Sequence, residues 1–169
     1  VDMVEWMMGD VESVFAKMTT ALADVETEDT AIVTLKFKSG ALGIIEATTA
    51  TRPTNLEGSI SILGENGTVV IGGVAVNEMQ TWVFEDEQEG DSGVLEEFSV
   101  NPPNVYGFGH QAYYEHVVDC VVNESANLVD GLQGRKSIEL ISAIYESAET
   151  GKEVFLKFQP KHCRLGQKS

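Results

Sequence analysis

The chain has 169 residues, 43% of them hydrophobic, and a mean hydropathy of -0.06, values typical of one soluble globular domain that can bury its own core. Its formal net charge is -16, and residues 1–151 hold 26 acidic side chains against six Lys or Arg. A surface of that sign repels nucleic acid and anionic membranes, so both are excluded as partners, and no apolar run reaches the length of a membrane span.

The first predicted element is a short helix over Val1–Gly9, closed by a glycine. It has no N-cap residue, which indicates that the chain is an excerpt of a longer protein. Alternating segments then predict strands over Val11–Thr20 and Thr30–Lys38, on either side of an acidic loop at Asp24–Asp29.

The stretch Ala41–Gly73 predicts three consecutive strands at the centre of an antiparallel sheet. The turn at Gly64–Gly67 contains an Asn-Gly pair, which readily adopts the positive φ angles of a tight hairpin. The strands are predicted over Ala41–Thr49, Leu56–Leu63 and Thr68–Ile71.

The second half of the chain predicts further strands, then two helices. Asn77–Phe84 reads as a strand, and Glu85–Glu97 as a solvated acidic loop with seven carboxylates and no cation. The other predicted elements are an edge strand at Val94–Val100, helices at Gln111–Asn123 and Leu132–Glu149, and a closing strand at Lys152–Lys157. The helix stripes predicted to face inward are Tyr113, Val117, Cys120 and Val121, and Ile138, Ile141, Tyr145 and Ala148.

These elements predict an α+β fold, in which a large, mostly antiparallel sheet of six or more strands has helices on one face. The other face is left to water or to another subunit. We expect a homodimer or homotetramer through it, because the strands carry Ile44, Ile60, Ile62, Val69 and Ile71.

The chemistry-bearing residues are few. The sequence has no P-loop, no Gly-rich dinucleotide fingerprint and no Ser nucleophile elbow, and its histidines and cysteines have no metal-ligand spacing, so no metal is expected. His116 is expected to be exposed or to act as a cap. Cys120 lies in an apolar helical run and is predicted to be a buried thiol, which favours a reducing cytoplasm. Cys163 lies in a polar, basic tail.

Arg52 is the only Lys or Arg between Lys38 and Arg135. It is either a surface ion pair of little energetic value or an anion-binding arginine. His110 is expected at a helix start, after Gly107 and Gly109, where backbone N–H groups favour an anion. The alternative for His110 is a residue packed beneath the preceding loop.

Three stretches carry a resemblance to a known family: VDMVEWMMGD, EGSISILGENGTVVIGG and the segment from Gly109 to Leu156. They resemble the C-terminal domain of the Gfo/Idh/MocA oxidoreductases, which has a dihydrodipicolinate-reductase-like fold. Within that family they are most similar to the UDP-N-acetyl-2-amino-2-deoxyglucuronate 3-dehydrogenases of bacterial surface-polysaccharide synthesis.

The resemblance implies that residues 1–157 are the substrate and oligomerisation domain of an NAD(P)-dependent sugar dehydrogenase. It places the Rossmann domain, the catalytic lysine and an Asp or Asn with a His upstream of Val1, so this chain alone is expected to bind no NAD(P) and to be inactive. Residues 158–169 are expected to be a disordered basic tail. The substrate-binding candidates are Arg52 and His110, with Tyr106 or Tyr113.

Two alternatives remain open. The domain is a non-catalytic sheet used only for assembly, or its parent acts on a free sugar or polyol. A neutral substrate would not require Arg52.

Overall fold

The computed structural model describes residues 1–56, 58–73, 76–100, 102 and 106–157. The α+β class is confirmed, because antiparallel strands and helices share the chain. The helices are α1 (Asp2–Met8), α2 (Val94–Glu97), α3 (Gly109–Val122) and α4 (Gly131–Thr150). The strands are β1 (Val11–Thr19), β2 (Thr30–Phe37), β3 (Leu42–Thr48), β4 (Ile60–Leu63), β5 (Gly67–Gly72), β6 (Glu78–Phe84) and β7 (Val154–Phe155).

The strands form two hydrogen-bonded sheets where the sequence predicted one meander. The first has the order β3-β2-β1-β7 and the second β4-β5-β6, each antiparallel throughout. The division falls between β3 and β4, which are separated by Thr49–Ser59, a segment too long for a tight hairpin. The chain likewise divides into two compact units, Val1–Arg52 with Leu128 onward, and Pro53–Asn127.

The first unit contains the main core. Alternate residues of β1 and β2 point to one face, where Val14, Val33, Leu35 and Phe37 are almost completely buried. Helix α4 covers this face. Asp130 caps its N-terminus, since Oδ1 accepts from the backbone N–H groups of Leu132 and Gln133 at 2.9 Å each.

The buried stripe of α4 differs from the predicted one. Leu140, Ala143, Ile144 and Ser147 face the core, whereas Ile138 is 66% exposed. Two apolar stripes with the same helical spacing run along this helix, and periodicity alone does not say which of them the sheet covers. Ile141 is also exposed, Tyr145 is half-buried, and Ala148 alone of the predicted set packs against the core.

Ser147 ties α4 to the edge of β1. Its buried hydroxyl accepts from the backbone N–H of Ala16 at 3.0 Å and donates to the carbonyl of Lys152 at 2.6 Å. Strand β7 pairs only with Ser13 and Val14, so it ends before it can reach Ala16. The serine side chain therefore takes the place of a missing strand residue.

In the second unit, β4 and β5 form the predicted hairpin, and Gly64 N–H donates to Gly67 C=O at 2.8 Å across its turn. The predicted edge strand at Val94–Val100 is wrong. Asp91–Gly93 form a 3-10 turn and α2 follows, because Leu95, Glu96 and Glu97 prefer helix, and only Ser99 bridges to a strand, at Glu78.

Candidate functional site

The first candidate residue, Arg52, lies just after β3 in the first unit. Its Nη1 donates to the backbone carbonyls of Thr51 at 2.8 Å and Thr49 at 3.2 Å. Arg52 takes part in none of the ion pairs that join Lys36 to Glu12 and Lys38 and Lys136 to Asp10. The guanidinium is thus held by its own loop and is exposed to solvent, which fits an anion-binding arginine better than a structural ion pair.

Asp29 fixes the loop that carries Arg52. Its backbone carbonyl accepts from Thr49 N–H at 2.8 Å, and its buried carboxylate accepts from the N–H groups of Leu22, Ala23 and Ala21 at 2.6, 3.0 and 2.8 Å. These donors, Leu22 foremost, hold the pKa of Asp29 below its ordinary value. In the sequence Asp29 is only the last residue of an acidic loop, and no pattern distinguishes it.

The other candidates lie in the second unit, around the start of α3. Tyr106 and His110 are in an edge-to-face contact with ring centroids 6.4 Å apart, and Gly107 between them has a φ of +67° that favours glycine. Phe108, at the N-cap position, makes no side-chain hydrogen bond to the helix. That side chain therefore does not cap the first N–H groups of α3. The exposed imidazole of His110 belongs to the same first turn.

Tyr113 lies three residues after His110, on the same side of α3. Its ring contacts that of Tyr114 edge-on at 5.9 Å, and about half of its surface is exposed. Tyr106 and His110 are in ring contact, and Tyr113 lies about one turn further along the same side of α3. These three residues, called the aromatic cluster below, carry hydroxyl and imidazole groups, and Arg52 belongs to the other unit. The cluster can donate hydrogen bonds to an oxygen-rich ligand and stack against a ring.

His116 departs from its sequence prediction, and its neighbour Cys120 agrees with its own. Cys120 is buried as predicted, but His116 is half-buried, with Nε2 3.5 Å from Cys120 Sγ. This contact follows from their separation of four residues, one helical turn. Tyr113 and Val121, predicted to face inward, are exposed, while Val117 is half-buried. Cys163 and the basic tail lie outside the described residues.

The described ranges contain no group of three or more His, Cys, Asp or Glu side chains that could share a metal ion. Within the same ranges, no helix is long and apolar enough to cross a membrane.

Comparison with known proteins identifies the family. A family described as "Oxidoreductase family, C-terminal alpha/beta domain" (GFO_IDH_MocA_C) matches residues 1–156. The fold is similar to that of the WlbA dehydrogenase from Bordetella pertussis in complex with NADH and UDP-GlcNAcA. That comparison gives 42% identity and a TM-score of 0.86, over 94% of this chain and 45% of the other.

Two further proteins extend this similarity. The Chromobacterium violaceum WlbA complex with NADH and UDP-GlcNAcA gives 42% identity and a TM-score of 0.83, covering 94% of this chain and 44% of that one. A myo-inositol 2-dehydrogenase from Thermotoga maritima is 36% identical over 98 residues, which are 54% of this chain and 28% of that enzyme. The chain therefore spans less than half the length of each relative.

Proposed function

We propose, from the premise that this chain belongs to the Gfo/Idh/MocA oxidoreductase family as its C-terminal alpha/beta domain, that it binds substrate and forms the oligomer in a nicotinamide-dependent sugar dehydrogenase. One observation carries the proposal. Over 94% of its length the chain is 42% identical to a dehydrogenase whose solved complex contains NADH and UDP-GlcNAcA. We infer the same substrate class, a UDP-linked N-acetylated sugar acid, with surface-polysaccharide synthesis as the setting.

The described residues do not fit a dinucleotide by themselves. Such cofactors bind where a parallel strand enters a helix through a glycine-rich turn, whereas both sheets here are antiparallel. We therefore assign the NAD(P), and the residues that exchange hydride and proton with the sugar carbinol, to the part of the parent that precedes this domain. The contribution of this chain is to bind and orient the substrate, and alone it is expected to be inactive.

Arg52 is the residue we assign to the negative charge of the substrate. Residues 53–127 contain no Lys or Arg, so the unit with the aromatic cluster supplies no full positive charge of its own. A guanidinium can offer two parallel N–H groups to a carboxylate or pyrophosphate, and its exposed position beyond Thr51 leaves it accessible.

The aromatic cluster is assigned to the uncharged parts of the substrate. His110 and the Tyr113 hydroxyl can hydrogen-bond sugar oxygens, and the ring of Tyr106 offers a face for a sugar or a base. The N–H groups at the start of α3 favour a phosphate oxygen over a neutral group.

The test is Arg52→Ala in the full-length parent. A charge-assisted hydrogen bond contributes about 1.5 to 3 kcal/mol, so KM for the UDP-sugar acid should rise at least about tenfold while kcat changes little. Arg135→Ala removes the same charge from the exposed surface of α4 and is the matched control. An unchanged KM in Arg52→Ala would remove this residue from the site.

The open face of the first sheet is proposed as the oligomer contact. Opposite the core, neighbouring strands present Phe15, Ile32 and Ile44, and Ile44 is 73% exposed. Ile60, Ile62, Val69 and Ile71, also proposed for the contact, are half-buried in the second sheet. Light scattering should find a dimer or tetramer in the parent protein and a smaller species in the Ile44→Lys variant. Thr34 on β2 pairs with Ile44 on β3, so Thr34→Lys is a second test of the same face.

A free polyol is the second candidate substrate, because of the similarity to the myo-inositol dehydrogenase. Competition assays with the parent separate the two. Inhibition of UDP-sugar turnover by myo-inositol at comparable concentration, with no effect of Arg52→Ala, would favour the polyol.

A further inference from the structure

A cleft lies in the unit formed by residues 53–127, away from the start of α3 in sequence. Its volume is about 360 Å³, within the range of small-molecule sites. It is lined by Asn66, Trp82, Phe84, Asp86, Gln88 and Asp91. None of these residues has a role in the function proposed above.

Two aromatic rings form one corner of this cleft. Trp82 and Phe84 are two residues apart on β6, so they share a face, and their rings meet edge to face with centroids 5.0 Å apart. The Phe84 ring lies against the backbone of Gly67 on the paired strand, where an added Cβ would come within 2.8 Å of Cε1. A glycine at this position is thus what lets the ring pack on the sheet.

Asp91 holds the corner in place. Its Oδ1 accepts from the indole N–H of Trp82 at 2.8 Å, and its Oδ2 accepts from Gln88 N–H at 2.6 Å. The Gln88 N–H, with the Trp82 indole, keeps the pKa of Asp91 below its ordinary value, so the carboxylate stays charged at neutral pH. Asp86 adds a second, exposed carboxylate to the lining.

The charge of the whole unit decides which ligand such a cleft can take. Residues 53–127 contain 13 Asp or Glu and no Lys or Arg. An anion would enter against this field with no local cation to offset it. A cation gains from the field, from the two carboxylates and from the negative faces of the aromatic rings.

We propose that the Trp82–Phe84 cleft binds an organic cation, either a primary ammonium or a guanidinium group. The cation lies over a ring face, and Asp86 and Asp91 are its counter-charges. The group belongs either to a free amine metabolite or to a Lys or Arg of a protein partner. None of the lining residues is among those assigned above to the anionic substrate, and the proposed ligand has the opposite charge.

Fluorescence tests this directly, because the chain has two tryptophans, Trp6 and Trp82. In Trp6→Phe the emission comes from Trp82 alone. Titration of the full chain with agmatine, which carries both cationic groups, should give a saturable change at constant ionic strength. Methyl glucoside, which is neutral, and glucuronate, which is anionic, should give none.

Three variants decide where the agmatine binds. Phe84→Leu should weaken binding about fivefold through the lost ring face, and Asp86→Asn about two- to fivefold. Glu96→Gln removes the same charge from the same unit but from outside the lining, and should leave the affinity unchanged. To separate the sources, a Lys- and Arg-containing peptide should compete with agmatine if a protein partner is the ligand.

Each contrary result overturns the proposal. A non-saturable response to agmatine means that there is no site. An equal loss of agmatine affinity in Glu96→Gln and Asp86→Asn means that only the diffuse negative charge of the unit attracts cations. A response to methyl glucoside as strong as that to agmatine means that the cleft recognises a neutral sugar.

Discussion

Replacement of Ser147 by alanine tests whether its hydroxyl replaces the strand partner that the short β7 does not provide for Ala16 of β1. The hydroxyl is fully buried and serves Ala16 N–H and Lys152 C=O. Removing it leaves the Ala16 amide without a partner at a site from which solvent is excluded. The Lys152 carbonyl loses less, because that residue is exposed and water can replace the serine.

The magnitude follows from the orphaned donor. A buried N–H left unsatisfied costs about 1 to 3 kcal/mol, so Ser147→Ala should lower the free energy of unfolding by about 2 kcal/mol. Urea unfolding followed by circular dichroism measures this. Ser142→Ala is the control on the same helix, since its hydroxyl donates to Ile138 C=O on the exposed side, and it should change stability by no more than about 0.5 kcal/mol.

Amide hydrogen exchange locates the effect. The Ala16 amide should exchange at least about tenfold faster in Ser147→Ala, since about 1.4 kcal/mol corresponds to a factor of ten. If Ala16 keeps its protection and Ser147→Ala is no less stable than Ser142→Ala, the hydroxyl does not substitute for a strand partner and the reasoning is refuted.

Two carboxyl groups give pH-dependent predictions of opposite sign. The pKa of Asp29 is lowered in the fold, so its stabilisation is present above its unfolded pKa of about 3.9 and is lost as the pH falls through the folded value. Asp29→Asn should therefore melt lower than the parent chain at pH 7, and the two melting temperatures should converge in acid. Burial raises the pKa of Glu5, so its stabilising effect is complete below about pH 4.3 and is lost as the pH rises through the folded value. Glu5→Met should raise the melting temperature at pH 7 and give no gain in acid; thermal melts between pH 3 and 7 check both pairs, and a gap that does not vary with pH would contradict either assignment.

Local rules predicted most of the secondary structure. The hairpin at Gly64–Gly67 and the alternation of β1 and β2 are visible in the sequence because each depends on neighbours a few residues apart. Helix α3 was placed to within two residues at its start for the same reason.

What the sequence did not predict depends on distant partners. The choice of Leu140 over Ile138 as the buried face is made by packing against β1 and β2, which lie more than a hundred residues earlier in the chain. The bond from Trp82 to Asp91 likewise turned part of an apparent acidic loop into the wall of a cleft. Pattern reasoning selected Arg52 as a candidate because of its isolation among acids, but missed Asp29, whose burial no spacing reveals.

The distribution of charge links the two proposed sites. A UDP-linked sugar acid is anionic, yet residues 53–127, with His110 and both candidate tyrosines, contain no Lys or Arg. Under the proposed function, the cations for such a substrate come from Arg52 or from the rest of the parent, and substrate binding is therefore to be measured on the complete protein. The same lack of Lys and Arg in residues 53–127 that led us to assign the anion to Arg52 makes the Trp82–Phe84 cleft suitable for a cation. Arg52→Ala should therefore weaken binding of the anionic substrate and leave agmatine binding at Trp82 unchanged. That result distinguishes two sites of opposite charge preference from one non-specific electrostatic field.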